Sequence, residues 1–319
     1  MTATLIFCRD PAAAIQVAGL FADREAQHVI GKALDCPDAL DEVVCVAEPP
    51  ASDMLAREGL AVKSWNAFFG DNDAATVLGR NGVAQVVTGT SDVDETRDVA
   101  LWQAAARIGA MSLCLLDRAD EATARFTDDR GSMCFPDVIA VADDTMRNAA
   151  IDDGLPANKL LVAGNLRQAH TVHAARVLGK TDRDLVRREW SATDETFCVL
   201  FASECGREAA SLGRPQRFDE ITALETLLDW SKTEHFRDDV ADGRETRLIV
   251  RPHPRDRADK YEAWIGKSVV GDDVGRPAIG SLLAADLVAG LETSLLEEAV
   301  WVGTPSLCLL TPAVGSPSP

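Results

Sequence analysis

The sequence predicts an α/β protein built from two doubly wound domains that face a cleft, and three observations carry that expectation. Short β-rich runs alternate with amphipathic stretches from end to end. The rhythm breaks once, over a polar stretch near residues 165–195, and then restarts. The chain of 319 residues is long enough for two domains with separate cores.

In the first half the expected strands are TLIF (4–7), EVVCV (42–46), VAQVVTG (83–89), MSLCLL (111–116), DVIAVA (137–142) and KLLVAG (159–164). Between them, stretches such as AAAIQVAGLFADRE and ETRDVALWQAAARIG repeat apolar residues at three- and four-residue spacing, the period of a helix with one buried face. Gly59, Gly82, Gly109 and Gly154 close these stretches as C-terminal caps. Strand–helix alternation of this kind implies βαβ units around a parallel sheet. The polar segment 166–195 is expected to be a helical bridge between a domain over 1–165 and a second over 196–319. In the second half the strands are FCVLFAS (197–203), RLIVRP (247–252), ADLVAG (285–290) and PSLCLL (305–310), with helices in FDEITALETLLDWSK and TSLLEEAVWVG. The tail TPAVGSPSP reads as frayed, and no internal repeat is visible.

Composition narrows the function classes. A formal net charge of −19 argues against a nucleic-acid partner, which needs a clustered positive face. No apolar run reaches the roughly 18 to 20 residues of a membrane span. The start, MTATLIFCRD, reads as a first strand and not as a signal peptide. The eight cysteines include no CxxC pair and several sit in apolar runs, so they are expected to be reduced and mostly buried, consistent with a cytoplasmic protein. His170 and His173 form an HxxH without the further ligands a zinc site needs, so no metal is expected.

Candidate functional residues gather where strands end. LIVRPHPRD (248–256) turns from apolar residues to a histidine fixed between two prolines and flanked by arginines. Prolines end a strand and stiffen the loop behind it. His253 and Arg251 there suit a phosphate; the alternative is a capping loop whose arginines pair with carboxylates such as Asp256. In AADLVAGLETSLLEEAVWVG (284–303) a strand ends at Gly290 and a helix opens near Thr293 or Ser294, where free amides and hydroxyls suit an anion. Glu297 and Glu298 follow, one placed for a capping box and the other for ribose hydroxyls; an ordinary capped helix is the alternative. Ser203, after the first strand of the second half, is a further phosphate or acceptor neighbour. In the first half, VVTGTSDVDETRD (86–98) offers Asp92 and Asp94, and IFCRDP (6–11) offers Asp10, as carboxylates able to take a proton from an attacking hydroxyl. Capping of the next helix by Ser91, Asp92 or Asp94 explains the same pattern.

The two-domain layout, RPHPRD and ADLVAGLETSLLEEAVWVGTPSL resemble the GT-B-fold nucleotide-sugar enzymes, in particular bacterial sialyltransferase-like glycosyltransferases and the UDP-N-acetylglucosamine 2-epimerase-like group. His253-Pro254 and Thr293-Ser294 match two phosphate-holding motifs of the former. The resemblance implies two Rossmann-like domains, the first taking the acceptor and the second the donor. It implies glycosyl transfer from a CMP- or UDP-sugar in surface glycan or glycoconjugate synthesis. Arg251, His253, Thr293, Ser294 and Ser203 would then bind phosphates, Glu297 or Glu298 the ribose, and Asp92, Asp94 or Asp10 would activate the acceptor. No cofactor is called for, since the nucleotide-sugar is the substrate. A UDP-sugar epimerase or hydrolase on the same fold, and a non-catalytic nucleotide-sugar-binding or scaffold protein, remain open; the alanine-rich loop RDPAAAIQ favours the last.

Overall fold

The structure is a computed structural model that describes residues 3–36, 40, 42–91, 95–120, 122–211 and 219–310. The chain divides into two compact units, Met1–His170 and Thr171–Pro319. The first unit runs β1 (Ala3–Cys8), α1 (Pro11–Ala22), α2 (Arg24–Ala33), β2 (Val43–Ala47), α3 (Ala51–Arg57), β3 (Val62–Lys63), α4 (Trp65–Phe69), α5 (Ala74–Arg80), β4 (Val83–Thr88), α6 (Arg97–Ile108), β5 (Met111–Leu115), β6 (Val138–Val141), α7 (Asp144–Asp152) and β7 (Leu160–Val162). Then come α8 (Leu166–Val177), in which the division between units falls, and α9 (Lys180–Glu189). The second unit continues with β8 (Thr196–Ala202), α10 (Gly206–Ser211), α11 (Glu220–Trp230), β9 (Glu245–Arg251), β10 (Val270–Gly271), α12 (Ala278–Ala284), β11 (Leu287–Gly290), α13 (Leu295–Trp301) and β12 (Ser306–Cys308).

Both sheets are wholly parallel, in the orders β3-β2-β1-β4-β5-β6-β7 and β10-β9-β8-β11-β12. The second order repeats the winding of the first five strands of the first, although the sequence shows no repeat. In each sheet the winding reverses beside the first strand, between β1 and β4 and between β8 and β11. In open α/β sheets such switch points open a crevice beyond the carboxyl ends of the strands.

The apolar runs follow from burial on both faces. Ile6 and Cys8 pack under α1 with Ala13, Val17 and Leu20, while Leu5 and Phe7 face Leu78, Leu101 and Ala105 on the other side. The second sheet repeats this, with Phe197, Val199 and Phe201 under Leu224 and Leu227 of α11, and Cys198 and Leu200 facing Val186, Leu282 and Ala299. Every strand expected from the sequence forms. The strands β3 and β10 were not expected: two residues at a sheet edge are too few to show a period.

The segment 166–195 is not a separate bridge. Leu166 packs in the first core. In the second unit, Arg187 of α9 donates to Asp286 (3.0 Å) and to the carbonyls of Thr193 (2.7 Å), Thr196 (2.6 Å) and Ala284 (2.8 Å). The polarity that made this stretch look like a linker lies partly in one buried guanidinium.

Gly89 marks the close approach of β4 to α1. A Cβ there would lie 2.2 Å from the Cβ of Ala13 and 3.0 Å from its Cα. The alanines of RDPAAAIQ thus let the backbone of the β4 end come close. Gly89→Ala is expected to lower stability by about 1–3 kcal/mol through overpacking, measured as a lower denaturant midpoint; an unchanged midpoint would mean that β4 and α1 separate freely.

Candidate functional site

In the second unit, a pocket of about 280 Å³ opens beyond the carboxyl ends of β8, β9 and β11, lined by Glu204, Cys205, Gly206, His253, Glu292, Thr293 and Ser294. It therefore sits at the switch point. Three of the lining residues, His253, Thr293 and Ser294, are among those the motifs singled out.

His253 is held by its own loop. Its amide donates to Asp256 Oδ2 (2.8 Å) and its carbonyl accepts from the Asp256 amide (2.8 Å). Its Nδ1 accepts from the Arg255 amide (3.0 Å), so the neutral ring carries its proton on Nε2. Burial holds its pKa below the ordinary value; the Asp256 carboxylate pulls the other way, and Arg255 and Lys260 add to the lowering. At neutral pH this is a fixed, uncharged N–H donor.

On the opposite side, Ser294 is the N-cap of α13 but lies in helical backbone (φ −61°, ψ −17°) and its side chain makes no cap bond. Thr293 Oγ1 instead accepts the Leu295 amide (3.3 Å). The capping box does not form, and the ordinary-cap explanation of Ser294 and Glu297 does not describe this helix. Ser294 and Glu297 are exposed, Glu298 is buried, and neither glutamate lines the pocket.

Two expected phosphate contacts lie elsewhere, which corrects their placement. The Arg251 guanidinium turns inward, donating to Asp272 (2.6 Å), to the Asp273 carbonyl (3.0 Å) and to the Arg276 carbonyl (2.7 Å). Ser203 is buried and donates to Asp256 Oδ2 (2.9 Å), beside a short contact with the Tyr261 hydroxyl. Neither lines the pocket. Asp256, in turn, serves backbone, serine and lysine groups, and is not the surface partner of arginines envisaged for it.

The pocket also holds two acidic residues, Glu204 and Glu292, that the sequence reading gave no role. Glu204 Oε1 accepts the Glu292 amide at 2.5 Å. Burial raises the Glu204 pKa, the bond from the Glu292 amide lowers it, and the Glu292 carboxylate raises it again. A carboxylate thus sits on the backbone turn between β11 and α13. Its position straight after a strand end was the available signal.

The first unit gathers charged groups at its own switch point. Asp10 follows β1 and is the N-cap of α1, without a side-chain cap bond to that helix. Arg9 pairs with Glu95 (3.0 Å), which also accepts Arg97 Nη2 (2.6 Å) and the Arg97 amide (3.0 Å). Glu95 therefore takes the first free amide of α6, whose N-cap, Thr96, makes no side-chain cap bond. Asp92 and Asp94 lie outside the described residues.

Asp98 is at the second position of α6, where an acidic residue ordinarily complements the helix dipole and carries no other signal in the sequence. It is 2% exposed. Burial pushes its pKa up to about 7, the nearby Ser91 hydroxyl opposes this in part, and Glu95 and Asp10 add to the rise. Ser91 Oγ and Asp98 Oδ1 are both buried without a bond of ordinary geometry. A carboxyl that titrates at about 7 thus lies within electrostatic reach of Asp10, one of the predicted bases.

No family model and no curated protein matches the sequence. Solved structures do. UDP-GlcNAc 2-epimerase from Neisseria meningitidis, bound to UDP-GlcNAc, superposes with a TM-score of 0.57 at 13% identity, over 97% of this chain and 82% of that one. The UDP-GlcNAc 2-epimerase from Methanocaldococcus jannaschii gives 0.56 at 12% identity, over 96% and 83%. A glycosyltransferase from Rickettsia africae gives 0.55 at 10% identity, over 96% and 78%. The fold is that of the GT-B nucleotide-sugar enzymes, as the motifs implied. Among the described residues, no helix is long and apolar enough to cross a membrane.

Proposed function

We propose that this chain is a nucleotide-sugar enzyme that holds its donor's phosphates in the pocket of the second unit, and that it transfers the sugar to a glycan or glycoconjugate acceptor. The observation that carries the reading is the convergence of His253, Thr293 and Ser294 on one pocket at the β8/β11 switch point. The Nε2 proton of His253 and the two hydroxyls are donors suited to phosphate oxygens and to the charge that builds on a departing nucleotide. Glu297, the exposed member of its pair, is the one proposed for the ribose, although it does not line the pocket. In the first unit Asp10 is the described carboxylate proposed as base, with Asp98 as a protonated neighbour. UDP is the preferred nucleotide to test, because fold neighbours were solved with UDP-GlcNAc and with UDP.

Epimerisation is the second reading, supported by the epimerases among those neighbours. The two separate in one assay. UDP-GlcNAc and UDP-glucose are incubated with and without an acceptor mixture, and nucleotide and sugar products are followed. Product only with acceptor supports transfer. A changed sugar or free UDP from donor alone supports epimerase or hydrolase. Turnover undiminished in His253→Ala would sink both.

One observation favours a non-catalytic binder. Among the described residues, the pocket lining contains Glu204 and Glu292 and no lysine or arginine. Such a protein would bind nucleotide and release no product.

A further inference from the structure

Buried residues tie together two of the three loops that line the pocket. Asp256 has a side chain only 1% exposed. Its Oδ2 accepts from the His253 amide (2.8 Å) and from Ser203 Oγ (2.9 Å), and its Oδ1 accepts from Lys260 Nζ (2.6 Å). Lys260 also donates to the Glu204 carbonyl (2.9 Å). One carboxylate therefore grips the loop after β9 through His253 and, through Ser203 and Lys260, the loop after β8 that begins at Ser203. These two loops supply His253 and Glu204–Gly206 to the pocket.

We propose that Asp256 is a positioning residue, which sets the distance between His253 and the 203–206 loop and so sets the affinity of the site for a phosphate-bearing ligand. The ligand part rests on the function proposed above; the geometric part does not. A plain ion pair would need only Lys260. Here the second oxygen is devoted to the two pocket loops, with charge-assisted bonds that are stronger than neutral ones. Asp256 does not line the pocket and acts through the groups that do.

The test measures amide hydrogen exchange and UDP affinity in the wild type, Asp256→Asn and Ser203→Ala. Asp256→Asn is expected to speed exchange of the His253 amide at least tenfold and to weaken UDP binding about tenfold, with β8 and β9 as protected as in the wild type. Ser203→Ala, the milder cut, is expected to weaken UDP binding a few-fold while leaving the fold intact. Uniformly faster exchange through β8 and β9 in Asp256→Asn would mark a merely structural ion pair and overturn the proposal. So would wild-type exchange at His253 in folded Asp256→Asn, or, if that variant does not fold, wild-type affinity in Ser203→Ala. A wild type that binds no UDP would overturn the affinity role and the function above together. A wild type that binds UDP, with variants that bind it equally well, would overturn the affinity role alone.

Discussion

Asp98→Asn is expected to remove a pH-dependent loss of stability and to leave the chain more stable than the wild type above pH 7. Burial lifts this carboxyl from an ordinary 3.8 to about 7. Between those values the folded chain keeps a proton that the unfolded chain has already released. Stability therefore falls as pH rises through the interval, by up to about 4 kcal/mol if the whole rise is expressed. Below pH 4 both states are protonated and the residue contributes no slope. Asparagine cannot ionise, so the variant's stability should be nearly flat over the interval where the wild type declines. Denaturant titrations at pH 4, 5.5, 7 and 8 measure this; identical slopes in both proteins would mean that Asp98 is solvated in the folded chain. A group this costly above neutrality, at the carboxyl ends of β1 and β4, suits a proton-handling role, since functional sites concentrate such strain. The expected counterpart is a loss of turnover in the stabilised variant.

Glu204→Ala is expected to strengthen binding of UDP by about tenfold. The Glu204 carboxylate occupies the Glu292 amide on the turn that a phosphate would approach. Two like charges about 4 Å apart repel by roughly 1 kcal/mol in a water-like surrounding and by more in a partly buried one. The loop should survive the change, because Lys260 holds the Glu204 main-chain carbonyl and not its side chain. Isothermal titration with UDP reads the effect directly. Weaker binding in the variant would make Glu204 a ligand contact, for instance to a sugar hydroxyl, and would remove the main support for the non-catalytic reading.

The sheets were largely legible in the sequence because strands buried on both faces announce themselves as apolar runs, and parallel strands need helices between them. The strands β3 and β10 escaped because a two-residue edge has no period. The site was legible in part. His253, Thr293 and Ser294 were visible because proline stiffening and strand-end placement are local properties. Arg251 and Ser203 were placed in the pocket by proximity in sequence. Where their side chains turn depends on Asp272 and Asp256, partners that only the fold brings near. Asp98 and Glu204 were overlooked for the opposite reason. In an acidic chain, a carboxylate in a first helical turn or a loop looks like solvated surface, and burial alone gives it meaning.

The pocket at the β8/β11 switch point is proposed to bind a nucleotide through His253. The most direct measurement is a thermal-shift panel of CMP, CDP, UDP, GDP and ADP on the wild type and on His253→Ala. Selective stabilisation by one nucleotide, with UDP the leading candidate, and its loss in the variant are expected. No shift with any nucleotide at millimolar concentration, or an equal shift in His253→Ala, would contradict the proposal.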